Sequence, residues 1–240
     1  MKEKSMQENH TKEERRLITL EEIRRNSELR TMIDAANDYL RQLGFTEHGP
    51  RHVGYVCRVA ADILRRLGYS EHQVELAAIT GWVHDVGNCI NRKEHGPNGA
   101  ALLFPILRDM GMPIEDVLTI ITAVGNHEEG YGRVSSPVSA ALVIADKSDA
   151  HKSRVRAGHA DPEHDIHDRV NLSIQRNAVL VDPEKRVIRH ELQMDESSSV
   201  MEYLQIYMSR IVMCEEAAAY LGCGFDLVVN GHPVNNRSTQ

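Results

Sequence analysis

Imidazoles and carboxylates recur along this chain in a pattern suited to metal ligation: His52, the doublet His84-Asp85, His95, His127, Asp146 and, three residues on, Asp149. Neutral imidazole nitrogen and carboxylate oxygen form the ligand set of Zn, Mn or Fe, and differ from a soft thiolate set. The doublet ends an apolar run that begins near Val74, and Gly87 stands where a helix would stop. A carboxylate at the buried C-terminal end of a core helix is costly unless it is paired or neutralised. A cation removes that cost, and the negative end of the helix dipole favours one there. Taken singly, an inward histidine is more often a hydrogen-bonded core residue. The order His, His-Asp, His, His, Asp on successive helices is not what core packing alone produces.

Helices are the elements that must position these residues. Thr19 with Glu22 forms a capping-box pattern, and a helical reading follows through Leu29, Ile33 and Leu40 to Gly44, with a break near Asn26-Ser27. Pro50 fits the first position of a helix whose stripe is Val53, Val56, Ala60, Ile63, Leu64 and Leu67; His52 lies on its edge. The apolar run to Val86 is a buried helix. A polar loop over residues 87–98 then precedes a helix from Gly99 to Met110, with His95 just before its start. Pro113 opens a helix carrying Val117, Ile120, Ile121 and Val124, which His127 extends by one step. Pro137 opens another, on which Asp146 and Asp149 can share one face.

After about His151 the character changes. Residues 152–171 are densely charged and read as a polar connector or a cleft lining. Residues 178–181 and 186–192 flank Asp182-Pro-Glu-Lys as a β-hairpin. Residues 197–221 read as a helix and Phe225-Asp-Leu-Val-Val as a last strand. The expected division is a charged segment over residues 1–28, its first 18 residues fraying, an all-helical domain over 29–152, and a small β-β-α-β appendage over 153–240.

The chain has 240 residues, a net charge of −7 and 5% aromatic residues. That length supports a real core, built from Leu, Ile, Val and Ala. The negative balance argues against long nucleic acid as a partner, though not against small phosphorylated ligands. No apolar run reaches membrane-spanning length and no secretory leader is visible, so the expectation is a cytoplasmic protein with no membrane partner. Cys57, Cys89, Cys214 and Cys223 show no finger or CxxC spacing and read as reduced thiols.

His52, His84-Asp85 and Asp146 together resemble the signature of the HD superfamily of metal-dependent phosphohydrolases, over about residues 30–152. The resemblance implies a mainly α fold, an HD-type helical bundle, with His52, His84, Asp85 and Asp146 holding a first metal. His95-Gly-Pro-Asn-Gly99-Ala-Ala and Asn126-His127-Glu128 are similar to the HD-GYP branch and other binuclear members. They imply a second ion on His95 and His127, with Asp85 bridging. Asn126 and Asn88 stand where HD-GYP proteins carry His and Lys.

The implied cofactor is one or two divalent ions (Fe, Mn, Zn, Co or Mg), and the implied reaction is attack of metal-activated water on a phosphate ester of a nucleotide or another small phosphorylated molecule. Asp85, Lys147 and Asp149 are the expected catalytic residues: Asp85 as bridge, Lys147 on the phosphate, Asp149 orienting the water or a ligand histidine. His48 is a further ligand position. Arg51, Arg92, Lys93 and Arg133 are further cations near the motifs. The same six ligands resemble those of di-iron HD-type oxygenases, and a non-catalytic nucleotide-binding regulator is the remaining reading. The helix with Met201, Leu204, Ile211 and Met213 would pack on its own sheet or on a twin, which brings in a homodimer.

Overall fold

The computed structural model describes residues 17–158 and 160–235. The fraying expected of the first residues falls, for residues 1–16, outside that range. Seven helices come first: α1 (Leu20–Arg25), α2 (Ser27–Gln42), α3 (Pro50–Arg66), α4 (Glu71–Val83), α5 (His95–Asp109), α6 (Ile114–Gly125) and α7 (Pro137–Lys147). Then follow α8 (Ile166–Ser173), β1 (Ile174–Asp182), β2 (Val187–Met194), α9 (Val200–Tyr220), β3 (Gly224–Val229) and β4 (His232–Pro233). The chain is thus mainly helical, with a small sheet near its C-terminus.

Local chemistry sets the helix starts. Thr19 and Ser199 each form a capping box, with Glu22 and Glu202, and the side chains of Asn26, Ser70 and Ser136 accept from the first turns of α2, α4 and α7. Pro50 and Pro137 occupy first-turn positions, where no backbone N–H is required. Helix α7 is the axis of the core: every residue from Val138 to Ala145 is buried, and α3, α4, α6 and α9 pack around it.

The expected boundary at residue 28 falls inside α2. Ile18 and Ile23 are buried in the core, so residues 18–28 belong to the helical body. Helix α5 starts at His95, four residues before the expected Gly99. Its first turn hid in the sequence because its inward residues, His95 and Gly96, are not apolar. The connector over residues 152–171 contains a 3-10 turn, Lys152–Arg154, and helix α8, whose start Asp165 caps through the His167 N–H.

The C-terminal unit is therefore α-β-β-α-β with a two-residue fourth strand. Strands β1 and β2 pair antiparallel, β2 and β3 pair parallel, and α9 makes the crossover that a parallel pair needs. Ile188, Leu192, Phe225, Leu227 and Val229 face inward from the sheet. On α9, Tyr203, Tyr207, Ile211 and Met213 are buried, while Met201 is exposed. The helical part and the sheet share one hydrophobic cluster.

His190 on β2 is buried among these residues, and its Nε2–H donates to Asn177 Oδ1 at 2.9 Å. Burial pushes its pKa down from 6.5 to about 4. Below pH 6.5 the unfolded chain therefore takes up a proton that the folded chain refuses. The stability is fully present above 6.5 and is lost as pH falls towards 4, up to about 3 kcal/mol. Replacing His190 by Gln should flatten that limb. Urea unfolding at pH 7.5 and 4.5 should show the wild type losing about 2–3 kcal/mol more than H190Q; parallel losses would refute this.

Candidate metal centre

Close helix contacts bring the first ligands together. A Cβ on Gly81 would sit 2.7 Å from Cys57 N, so α4 approaches α3 as only a glycine permits. That approach sets His84, the residue after Val83, against His52 in the first turn of α3. Their Nε2 atoms are 3.3 Å apart. Asp85 Oδ2 lies 3.5 Å from each of these nitrogens, and Asp146 Oδ1 lies 3.3 Å from His52 Nε2 and 3.6 Å from His84 Nε2. Four ligand atoms around an ion at about 2.1 Å stand at tetrahedral corners about 3.4 Å apart. The observed separations fit that figure.

A second group meets the other oxygen of Asp85. His95 Nε2 is 3.2 Å from Asp85 Oδ1 and 3.0 Å from His127 Nε2, and His127 Nε2 is 4.0 Å from the same oxygen. Among the described residues the trios His52-His84-Asp85, His84-His127-Asp146 and Asp85-His95-His127 each hold ligand atoms within 4.8 Å of one another. Asp85 belongs to two of them. The six residues thus converge on one place.

The tautomers point the same way. The Nδ1–H groups of His84, His95 and His127 each meet the carbonyl three residues back, at Gly81 (3.0 Å), Arg92 (3.1 Å) and Val124 (2.6 Å). His52 Nδ1 meets Asp149 Oδ2 at 2.6 Å. A neutral ring with its proton on Nδ1 has a lone pair on Nε2, so the facing Nε2 atoms of each dyad repel unless a positive charge, an ion or a proton as on His95, stands between them. Partners on the remote ring nitrogen are what metal-bound histidines carry. Asp85 Oδ2, buried, has no hydrogen-bond partner. A divalent cation fits this donor set.

The titration behaviour shows the same need for positive charge. Burial would raise the Asp85 pKa, yet the neighbouring His84 and His95 hold it well below the usual carboxylate range. His95 is pushed up to about 9: burial works against its charge, and the Asp85 and Glu128 carboxylates prevail. His127 is pushed down to about 3 by burial and by His95 beside it.

The remaining expected residues fall into two groups. Lys147 is in the site: buried, its Nζ lies 2.7 Å from Asp146 Oδ2 and 3.3 Å from Glu129 Oε1. Of the two roles expected of Asp149, the structure places it beside a ligand histidine and not beside the space for water. It lies behind His52, bonded to His52 Nδ1 and to Arg51, with the Arg154 Nε 3.7 Å away. It is a positioning residue: α7 ends at Lys147, and the chain past the Ser148 cap carries Asp149 to the far side of the ring. His48 is not a ligand either. Its Nδ1–H donates to Thr46 O at 2.7 Å and its Nε2 accepts from Arg154 at 3.0 Å, so both nitrogens are used.

Of the expected cations, Arg51 is paired with Glu47 and Asp149, Lys93 and Arg133 are exposed, and Arg92 lines the site. Arg154, Arg210 and Glu129 line it too, without having been singled out. Arg154 lies in the densely charged stretch over residues 152–171. Arg210 is the only Lys or Arg between Val200 and Tyr220, the one signal it gave. Beyond them opens a cleft of about 240 Å³, walled by Phe45, Thr46, Asp165, His167, Asn171 and Tyr207.

Among the described residues no helix is long and apolar enough to cross a membrane. No curated protein matches this chain. Residues 51–151 match the HD domain family, without singling out the HD-GYP branch. HD domains are in general metal-dependent phosphohydrolases. The match spans α3 to the end of α7 and includes all six converging residues, and the chain therefore carries an HD domain over residues 51–151.

Proposed function

We propose that this protein is a phosphohydrolase that uses two divalent ions to cleave a small phosphomonoester, a nucleotide being the first class to try. The observation that carries this reading is the pair of imidazole dyads, His52-His84 and His95-His127, set on the two oxygens of one buried carboxylate, Asp85. Two ions held there would lower the pKa of water towards about 7 and draw charge from the phosphoryl oxygens. His52, His84, Asp85 and Asp146 would hold the first ion, and Asp85, His95 and His127 the second.

The other residues act around that centre. Asp149 fixes the ring of His52, and Glu128 fixes His95 through Nδ1 at 3.0 Å. Lys147, shared between Asp146 and Glu129, presents a buried positive charge beside the ligands. The floor above the ligands is narrow and ringed by charged groups, which limits access to a small phosphoryl head. All four cysteines are unpaired, in keeping with a cytoplasmic, reducing setting.

Substitution of His95 by Ala tests the ion count. Elemental analysis after manganese loading should fall from two equivalents to one, and phosphate release from a nucleotide and phosphoester panel should fall by about 100-fold or more. One equivalent in both proteins would reduce the centre to His52, His84, Asp85 and Asp146. A fully loaded wild type inactive across the panel would remove the hydrolase reading.

A further inference from the structure

Arg210 lies well outside residues 51–151, on α9, yet its side chain borders both the narrow space over Asp85, His95 and Asp146 and the outer cleft. Its Nε pairs with Glu129 Oε1 at 3.2 Å, and its guanidinium lies 4.8 Å over the Tyr207 ring. Glu129 also takes Lys147, and Lys147 takes Asp146. The guanidinium is thus held at a fixed distance from the ligand carboxylate. Its two terminal nitrogens make no hydrogen bond among the described residues.

Of the other arginines of the cleft, Arg154 is spent and Arg92 is turned away. Arg154 gives one terminal nitrogen to Asp149 O, at 2.8 Å, and the other to Glu47 O and His48 Nε2, at 3.2 and 3.0 Å. Arg92 has one terminal nitrogen packed against the His95 ring, 2.9 Å from Nδ1, and its guanidinium lies 5.7 Å over the Phe45 ring, so it does not offer both terminal nitrogens together. A fixed guanidinium with unspent parallel donors is the arrangement that takes a phosphate bidentately.

We propose that Arg210 binds the substrate's phosphoryl group, so that residues 51–151 supply the metal ligands and the C-terminal unit supplies recognition. This rests on the phosphohydrolase reading and narrows its substrate. A phosphomonoester carries close to two negative charges at neutral pH on three terminal oxygens, and the unused terminal donors of Arg210 would take oxygens turned away from the ions, beside Lys147, whose own charge is shared between Asp146 and Glu129. The outer cleft, about 240 Å³, is smaller than pockets for drug-sized ligands, which begin near about 300 Å³. Its walls beyond Arg210 are mixed: Thr46 from the α2–α3 loop and Asp165, His167 and Asn171 from α8 and its cap are polar, and Leu43, Phe45 and Tyr207 are apolar. The alcohol part of the ester is accordingly small, with both polar and apolar contacts, and a cyclic dinucleotide is larger than this cleft.

The test compares the manganese-loaded full chain with Arg210→Gln, Arg210→Lys and the control Arg189→Gln, which changes the outer face of the sheet. Calorimetry with inorganic phosphate and turnover of p-nitrophenyl phosphate are the readouts, with metal content measured alongside. R210Q should weaken phosphate binding and raise KM about 10- to 100-fold at unchanged metal content. R210K should fall between, and R189Q should match the wild type. Should R210Q misfold, R210K decides, since losing the bidentate fork must still cost affinity. Phosphate affinity and KM within twofold of wild type in the folded variants would overturn the proposal, as would a wild type that binds no phosphate. A wild type that binds phosphate but hydrolyses no ester would sink the phosphohydrolase reading, while lost phosphate affinity in R210Q would still uphold Arg210.

Discussion

Replacing Asp85 by Asn is expected to lower metal content from two equivalents to one or none and phosphate release by about 10³- to 10⁴-fold. Asp85 is the residue whose two oxygens face the two histidine dyads separately, Oδ2 toward His52 and His84, Oδ1 toward His95. Asparagine keeps the shape and keeps an oxygen for Asn88 Nδ2, which donates to Asp85 Oδ1 at 2.9 Å. It removes the charge and turns one ligand oxygen into an N–H donor pointing at a cation site.

The stability consequence depends on metal. Asp85 is buried, and the neighbouring His84 and His95 hold its carboxyl ionised. In a chelator, D85N loses that attraction and should already melt somewhat below the wild type. With manganese at about 100 times its Kd, the wild type gains about 2.7 kcal/mol that the variant lacks. For a chain of this size that is about 5–10 °C in Tm. The gap in Tm between the two proteins should widen by that amount on adding metal. A variant that keeps two ions and turnover within tenfold of wild type would remove Asp85 from the centre.

How much of this was legible in the sequence depends on the range of the interaction. His52, His84, Asp85 and Asp146 were readable because each sits at a helix start or end beside an apolar stripe, so periodicity alone aimed them inward. His127 was readable as one more step of the α6 stripe. Asp149 shows where that reasoning stops. Spacing placed it near Asp146, but which side of the His52 ring it would face depends on Arg51 and Arg154, which no periodicity reports. Arg210 was invisible as a site residue because α9 reaches the centre only through its packing on α7, more than 60 residues away in sequence. Helix α8 was missed because its buried face is short: Val170, Asn171 and Ser173 in eight residues.

Gly87 was read as a helix stop, and its larger role is spatial. Helix α4 ends earlier, at Val83, and Gly87 sits in the 3-10 turn Val86–Cys89. A Cβ there would lie 1.9 Å from His95 O and 2.4 Å from Gly99 N, both backbone atoms of α5 that cannot rotate away. This contact sets the distance from His84-Asp85 to His95, and so the spacing of the two proposed ions. Substitution of Gly87 by Ala must push α5 outward or unfold the turn. Overpacking usually costs about 1–3 kcal/mol, and a clash with backbone on both sides belongs at or above the upper end. The expected fall in Tm is about 6–12 °C. Where α5 moves instead, His95 leaves Asp85, and the protein should keep the first ion, lose the second and lose most of its turnover, even under conditions where it is fully folded. Ala at position 87 with an unchanged Tm and two bound ions would show that the α5 contact does not set the metal spacing.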